Sequence, residues 1–233
     1  MKLQNLIFSL CTVLFISTTI CAQNLCIGAI GGVNIASIST DLEDVKSKNL
    51  TAFGIGGVVD WKLRGNLALC FEPMYLQKGA KLEFPIVEIG GVVETIFGEM
   101  EGEFNYSYIE IPMFLKYSLS SSNIKPYLMA GSTIGILTSA KMVGIDRIKE
   151  YSSRLDIKDE SQSIDYGVGF GAGVAIPVGR NTLFVEGRYV LGLTDAYKGP
   201  GELENEVDLL LEGARFTHTG IHIMAGLSLP WGE

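Results

Sequence analysis

The chain has 233 residues, with 18 lysines and arginines against 26 aspartates and glutamates, a net charge of −8. That acidic balance removes the electrostatic case for nucleic acid as a partner. Mean hydropathy is +0.29, high for a protein in water, yet beyond residue 22 no run reaches the roughly 18 consecutive apolar residues of a membrane helix.

Residues 1–22 read as a cleaved secretory signal. Lys2 supplies the positive start, Leu6 to Phe15 the apolar run, and Cys21-Ala22-Gln23 a small-residue exit with the cut after Ala22. A lipoprotein reading would acylate Cys21, for which Ile20 is a poor preceding residue. The expected mature domain is 23–233, a size suited to one all-β barrel. Its basic count falls to 17 against the same 26 acids, a net charge of −9. Cys26 and Cys70 remain. On the first and third strands they would not be neighbours, which points to free, buried thiols.

Eight strands follow in order, at about 25–38, 51–63, 66–79, 104–118, 124–138, 164–178, 181–193 and 216–230. Period-two alternation carries the prediction, because successive side chains of a strand point to opposite faces. In 51–63, Phe53, Ile55, Val59, Trp61 and Leu63 oppose Gly54, Gly56, Asp60 and Lys62. In 66–79, Leu67, Leu69, Phe71 and Tyr75 oppose Glu72 and Lys78. In 104–118, Ile109, Ile111, Met113, Leu115 and Tyr117 oppose Tyr108, Glu110, Phe114 and Lys116. In 164–178, Tyr166, Val168, Phe170, Ala172, Val174, Ile176 and Val178 oppose Asp165 and four glycines, Gly167, Gly169, Gly171 and Gly173. Glycine weakens a strand unless something needs the room, and a narrow, crowded barrel interior is such a need. The last two strands repeat the pattern: Leu183, Val185, Tyr189, Leu191 and Leu193 oppose Glu186 and Arg188, and Ile221, Ile223, Ala225, Leu227 and Leu229 oppose His218, His222 and Ser228.

The connections alternate in length. Arg64-Gly65, Leu119 to Asn123 and Gly179-Arg180 are short, whereas 39–50, 80–103, 139–163 and 194–215 are long and polar. All short turns therefore fall at one end, the layout of bacterial outer-membrane barrels with short periplasmic turns and longer external loops. The fold class is all-β: an eight-stranded antiparallel up-and-down transmembrane barrel, or ten-stranded if 81–100 adds a hairpin. Trp61, Tyr117 and Trp231 come to the periplasmic ends of their strands, as an interfacial aromatic girdle would. A soluble barrel has the same period with its faces reversed, so alternation leaves that alternative open.

Eight strands leave an interior just wide enough for side chains. Asp60, Lys62, Glu72, Glu110, Lys116, Asp165, Glu186 and Arg188 all fall on the inward face and form a lumen charge network. Enclosed charges must be paired, so the network reads as a salt-bridged plug; a gated polar path is the alternative. His218 and His222 share a face of a strand but lie about 13 Å apart at ~3.3 Å per residue, too far to hold one metal ion. No G-x-S-x-G elbow exists, and Gly167 to Gly173 lacks the lysine and helix of a phosphate loop. The external segments are charged, 141–163 with both signs and 201–215 with Glu202, Glu204, Glu206, Asp208 and Glu212. They read as solvated loops, with a docking element as the alternative.

The segments Tyr108-Ile109-Glu110-Ile111-Pro112-Met113-Phe114-Leu115-Lys116-Tyr117 and Lys125-Pro126-Tyr127-Leu128-Met129-Ala130-Gly131, with Gly32-Val33-Asn34 and the glycine strand, carry a resemblance. Over nearly the whole mature chain the sequence resembles the PorT-like outer-membrane β-barrel family. One departure is the end: Trp231 is followed by Gly232 and Glu233, where outer-membrane strands commonly finish on an aromatic residue. The resemblance implies location and architecture, and one family branch is linked to a protein secretion system.

The expectation is a non-enzymatic barrel in the outer membrane of a Gram-negative envelope, porin-like in build and needing no cofactor or metal. Its partners would be outer-membrane lipid, the barrel assembly machinery, and an envelope or secretion protein served by its loops or periplasmic rim. The alternatives are a small-solute channel and an exported soluble ligand-binding barrel.

Overall fold

Strands with one apolar and one polar face can satisfy both by closing on themselves, and closure also removes the unpaired edges of a sheet. The computed structural model describes residues 24–41, 45–83, 100–119, 123–146, 151–198 and 215–232. Its strands are β1 (Leu25–Thr40), β2 (Lys46–Lys62), β3 (Leu67–Phe71), β4 (Met74–Glu83), β5 (Met100–Ser118), β6 (Lys125–Asp146), β7 (Tyr151–Asp156), β8 (Ile164–Val178), β9 (Asn181–Asp195) and β10 (Phe216–Pro230). Every pairing is antiparallel, and β1 meets β10 along fifteen residue pairs from Cys26↔Pro230 to Thr40↔Phe216. The ring runs β1, β2, β3 with β4, β5, β6, β8, β9, β10 and back to β1, which is eight strands around as expected.

Two of the ten strands arise for local reasons. β3 and β4 are one path broken at Pro73, which has no N–H to give the ladder. The break stays stitched, since Glu72 N–H donates to Pro112 O (3.1 Å) and Gly57 N–H donates to Pro73 O (2.9 Å). β7 is an addition within the segment expected to be loop. It pairs with the far end of β6, from Lys141↔Asp156 to Asp146↔Tyr151. Its charged composition hides a hairpin in which Lys141 sits opposite Asp156 and Met142 opposite Leu155. The proposed addition at 81–100 is different: β4 and β5 lengthen toward each other as far as Glu83 and Met100, and 84–99 lie outside the described residues.

The apolar face points out. Ile55, Ile109, Ile136, Phe170, Val185, Leu193, Ile221 and Ile223 are all exposed, and Val185 keeps 57% of its surface. Along β5 the outward positions change from Ile111 and Ile109 to Ser107, Asn105 and Glu103, and along β10 from Ile221 to Thr219 and Thr217. The change marks the upper edge of an apolar belt. β10 spans that belt from Leu229 to Ile221, close to the roughly 9–11 residues that a tilted membrane strand needs. At 19 and 22 residues, β5 and β6 run well past it on the long-loop side. There Lys81 pairs with Glu103 (3.3 Å), and Asn105 Nδ2 donates to the same carboxylate (3.0 Å). The Asn105 hydrogen bond, with Lys81, holds the Glu103 carboxyl below its ordinary range.

Bulges accommodate this outward extension. β5 and β6 slip register between Ser107 and Tyr108, where Thr138 Oγ1 donates to Ser107 O (2.8 Å). β2 and β4 slip between Asn49 and Gly54, and Asn34 reaches across the lumen side to donate from Nδ2 to Gln77 O (2.8 Å). At the other end the turn glycines Gly65 and Gly179 take positive φ (63° and 62°), and Trp231 N–H donates to Leu25 O (2.8 Å). Both ends of the described barrel chain therefore share the short-turn rim.

The glycine strand has the expected explanation. A Cβ on Gly169 would stand 3.0 Å from Phe114 Cε1, and one on Gly173 would enter the Tyr127 ring. These rings, Phe114 from β5 and Tyr127 from the adjacent β6, lie over β8 only because no side chain meets them.

The two faces should respond differently to the same substitution. Val185→Arg places a cation in lipid and is expected to cost about 2–4 kcal/mol near the midplane. Gly169→Arg should instead block closure, because Phe114 already fills that space. Urea titration of folding into vesicles reads both, and full tolerance of Val185→Arg would mean the faces are inverted.

Candidate functional site

Period two sends polar side chains from all eight strands of the ring into one narrow tube. The lower group lies toward the short turns. Arg188 Nη1 pairs with Glu72 and with Glu186 (3.3 Å), and both carboxylates also face Lys116 Nζ at 3.4 Å. Tyr127 Oη donates to Glu186 Oε2 (2.7 Å), Cys70 Sγ donates to Glu72 Oε1 (3.2 Å), and Arg188 Nε donates to His222 Nδ1 (3.3 Å). Lys116 lies over the Tyr127 and Phe184 rings, and the Arg188 guanidinium over Phe114, at 5.2–5.3 Å. Aromatic faces thus stabilise the cations from the sides the carboxylates leave open. Asp60 closes the lower end at 3.6 Å from Lys116, and its side chain keeps 21% of its surface.

The upper group centres on a residue left out of the predicted network. Lys78 Nζ pairs with Glu110 and with Asp165 (2.8 Å), and lies 5.2 Å from the Tyr108 ring centre. Its inward parity was legible in the sequence, but its reach across to β5 and β8 was not. Above it Tyr108 Oη meets His218 Nε2 at 3.2 Å, with the Tyr106 ring packed edge-on against the same imidazole. His218 and His222 are therefore interior polar residues, each on its own partner.

Lys62 is the residue the structure moves. It ends β2 and is exposed, because the wall stops there and an inward parity opens onto water. Cys26, half-buried rather than buried as expected, and buried Cys70 form no disulfide and flank Asp60 in register. Two strand spacings, about 9.6 Å, separate them, beyond the reach of a disulfide. Trp61, Tyr117 and Trp231 are exposed at the short-turn rim, as Leu25↔Trp61 and Leu67↔Tyr117 pair there.

The outer mouth is closed differently. Ile38, Leu82, Tyr106, Leu137 and Phe216, from five strands around the ring, meet in one buried apolar cluster with Ile157 and Tyr197 against it. Residues 157–163 and 196–198 are tied together over it: Gln162 N–H donates to Ala196 O (3.1 Å), Lys198 N–H to Glu160 O (2.9 Å), and Ser161 bridges Tyr197. Among the described residues no group of three or more histidine, cysteine or acidic side chains is placed to hold a metal ion.

A closed ring with lipid-facing apolar walls, short turns at one rim and a sealed polar core is the build of an outer-membrane barrel, and residues 21–198 match the outer membrane protein beta-barrel domain. The chain belongs to that family. No curated protein matches it. Among solved structures, neisserial surface protein A is 13% identical, with 89% of this chain and 97% of that chain covered and a TM-score of 0.49. OprG from Pseudomonas aeruginosa is 11% identical, with 89% and 95% covered and a TM-score of 0.47. OmpT from Escherichia coli, an outer-membrane protease, is 11% identical, with 90% and 97% covered and a TM-score of 0.46. Membership in the outer membrane barrel family places the protein in the lipid of an outer membrane and sets aside the soluble-barrel alternative.

The described lumen holds Lys78, Lys116 and Arg188 against Asp60, Glu72, Glu110, Asp165 and Glu186. With acids in excess, loss of one cation strands more than one carboxylate. Arg188→Ala should therefore cost about 3–5 kcal/mol in urea titration, the range for breaking a buried pair. Arg188→Met combined with Glu72→Leu should recover most of that loss, and equal loss in single and double variants would contradict the pairing.

Proposed function

We propose that this outer-membrane barrel is non-enzymatic and non-conducting, and that it serves a protein partner in the envelope through its external platform. The observation that carries the reading is the two-level filling of the lumen, ion pairs below and an apolar cluster above. A solute path would have to break Arg188 and Lys78 from their carboxylates and then part Ile38 from Leu137 and Phe216. Glu110 and Asp165, the two carboxylates nearest to an acid–base pair, lie under that cluster with Lys78 between them, out of reach of a substrate. The platform outside is built of the β4–β5 extension, the β6–β7 hairpin and the tie between 157–163 and 196–198, and it bears exposed Arg154, Asp156, Lys158, Asp159 and Glu160.

The PorT-like resemblance favours a component of a secretion apparatus as the partner. Residues 1–22 deliver the chain by cleavage after Ala22, and Lys2 with the Leu6–Phe15 run supports that step. The lumen network acts as a structural plug, and Trp61, Tyr117 and Trp231 act as the girdle at the periplasmic interface.

Purified protein in planar bilayers should show no unitary conductance, and Arg188→Ala should lower urea resistance without opening one. Conductance steps in the wild type would establish the channel reading. Crosslinking from the 154–160 segment in cells, followed by identification of what is captured, tests the partner. Mass measurement of the native protein should place its first residue at Gln23.

A further inference from the structure

The lipid-facing wall carries one depression. A groove of about 760 Å³ with an apolar lining lies on the outward side of β5, β6, β8, β9 and β10. All five strands are described over its height. The strand register gives its cause. Tyr117, Leu128, Ala172, Gly187 and Ile223 stand side by side across the five strands. The next outward row toward the long loops is Leu115, Ala130, Phe170, Tyr189 and Ile221. Ala130, Ala172 and Gly187 make a low floor, and a Cβ on Gly187 would meet nothing within 4 Å. The exposed rings of Phe170 and Tyr189, with centres 5.8 Å apart, form the ridge above that floor.

Direction and width select the occupant. The row begins at Tyr117 on the short-turn rim and reaches Gly187 beside Ile223, which lies well above Leu229 on β10. The floor therefore climbs obliquely from the periplasmic interface to the middle of the apolar belt. From β5 to β9 it crosses three strand spacings, about 14 Å at ~4.8 Å each. Half of a hydrocarbon core is ~15 Å thick. Residues two apart on a strand are about 6.6 Å apart, so a slot left by one low row is narrower than the ~10 Å of a helix. A second copy of this barrel would present a convex wall, which does not enter such a slot. A polymethylene chain is one carbon thick and touches its neighbours at ~4 Å. It fits.

We propose that this groove is a binding site for one straight, saturated acyl chain of a phospholipid in the periplasmic leaflet, with its ester end at Tyr117 and its methyl end at Gly187. Hydrophobicity does not drive the binding, because the surrounding lipid is equally apolar. The gain is close contact along Ala130, Ala172 and Gly187 and against the Phe170 ring, where a void would forfeit it. A cis double bond kinks the chain and lifts part of it off the floor, so an unsaturated chain makes fewer of these contacts.

The test uses the full chain, folded into vesicles of dipalmitoyl- and dioleoyl-phosphatidylglycerol in equal amounts and released in mild detergent for native mass spectrometry. One phospholipid should remain on each barrel, with the dipalmitoyl lipid favoured about three-fold, the effect of keeping a few more dispersion contacts. Ala172→Leu and Gly187→Leu each fill the floor and should remove the retained lipid, whereas Ala29→Leu, exposed on β1 away from the groove, should keep it. Phospholipid with a diazirine at the chain end should label near Gly187, and one with the diazirine beside the ester should label near Tyr117. Unchanged electrophoretic mobility of unheated samples shows that the variants are folded. Equal retention of both lipids by the wild type overturns the proposal, and so does retention undiminished in both floor variants. Labels as dense on β1 and β2 as on β8 and β9 overturn it too. A wild type released as a dimer that Gly187→Leu renders monomeric assigns the groove to a second copy and also overturns it.

Discussion

Eight tilted strands enclose a space no wider than the side chains that fill it, so every charge sent inward must meet its counter-charge within that space. Arg188 is where this constraint is tightest. It reaches Glu72 from the other side of the ring and Glu186 on its own strand, and its guanidinium lies over Phe114. Phe114 in turn occupies the room left by Gly169, so the glycines of β8 and the ion pairs of the lumen are parts of one packing arrangement. The lower group is therefore a cross-brace, since Glu72, Lys116 and Arg188 tie opposite parts of the ring through side chains where backbone hydrogen bonds join only neighbours.

The outer half of the barrel works on another principle. Above Lys78 the interior loses its charges, and Tyr108, Tyr106, Leu137 and Phe216 fill the mouth. Here the wall stands clear of the lipid belt, and its outward positions become serine, asparagine, lysine and glutamate. The sheet then faces water outside and an apolar core inside, the arrangement of a soluble barrel. The register slips at Ser107/Tyr108 and Asn49/Gly54 belong to the wall of this extension. One chain thus holds two solvent regimes, with bulges at Thr138 and near Asn34 where they join.

In the function proposed above, filling of the lumen leaves the role to the surfaces. The external platform bears exposed Arg154, Asp156, Lys158, Asp159 and Glu160, whereas the short-turn rim bears exposed Trp61, Tyr117 and Trp231. On the reading proposed above, the platform is the end that meets a protein.

The sequence by itself determined the ring and its orientation. Strict alternation at Leu183 to Leu193 and at Ile221 to Leu229, with short and long connections in turn, leaves few other ways to bury polar faces. The inward side of Asp60, Glu72, Glu110, Lys116, Asp165, Glu186 and Arg188 follows from the same parity, because a strand has only two faces. Tertiary structure alone decided who pairs with whom. Lys78 joins Glu110 and Asp165 across three strands, and Arg188 finds Glu72, because tilt and stagger of the closed wall set which levels meet, and no local pattern encodes that. Lys62 shows the limit of parity: it points inward by count, but the wall ends beneath it. β7 shows the limit of composition, since a charged segment became a strand once the protruding end of β6 offered it an edge. The apolar cap has the same origin: its residues come from five strands and two connections, and only closure of the ring brings them together.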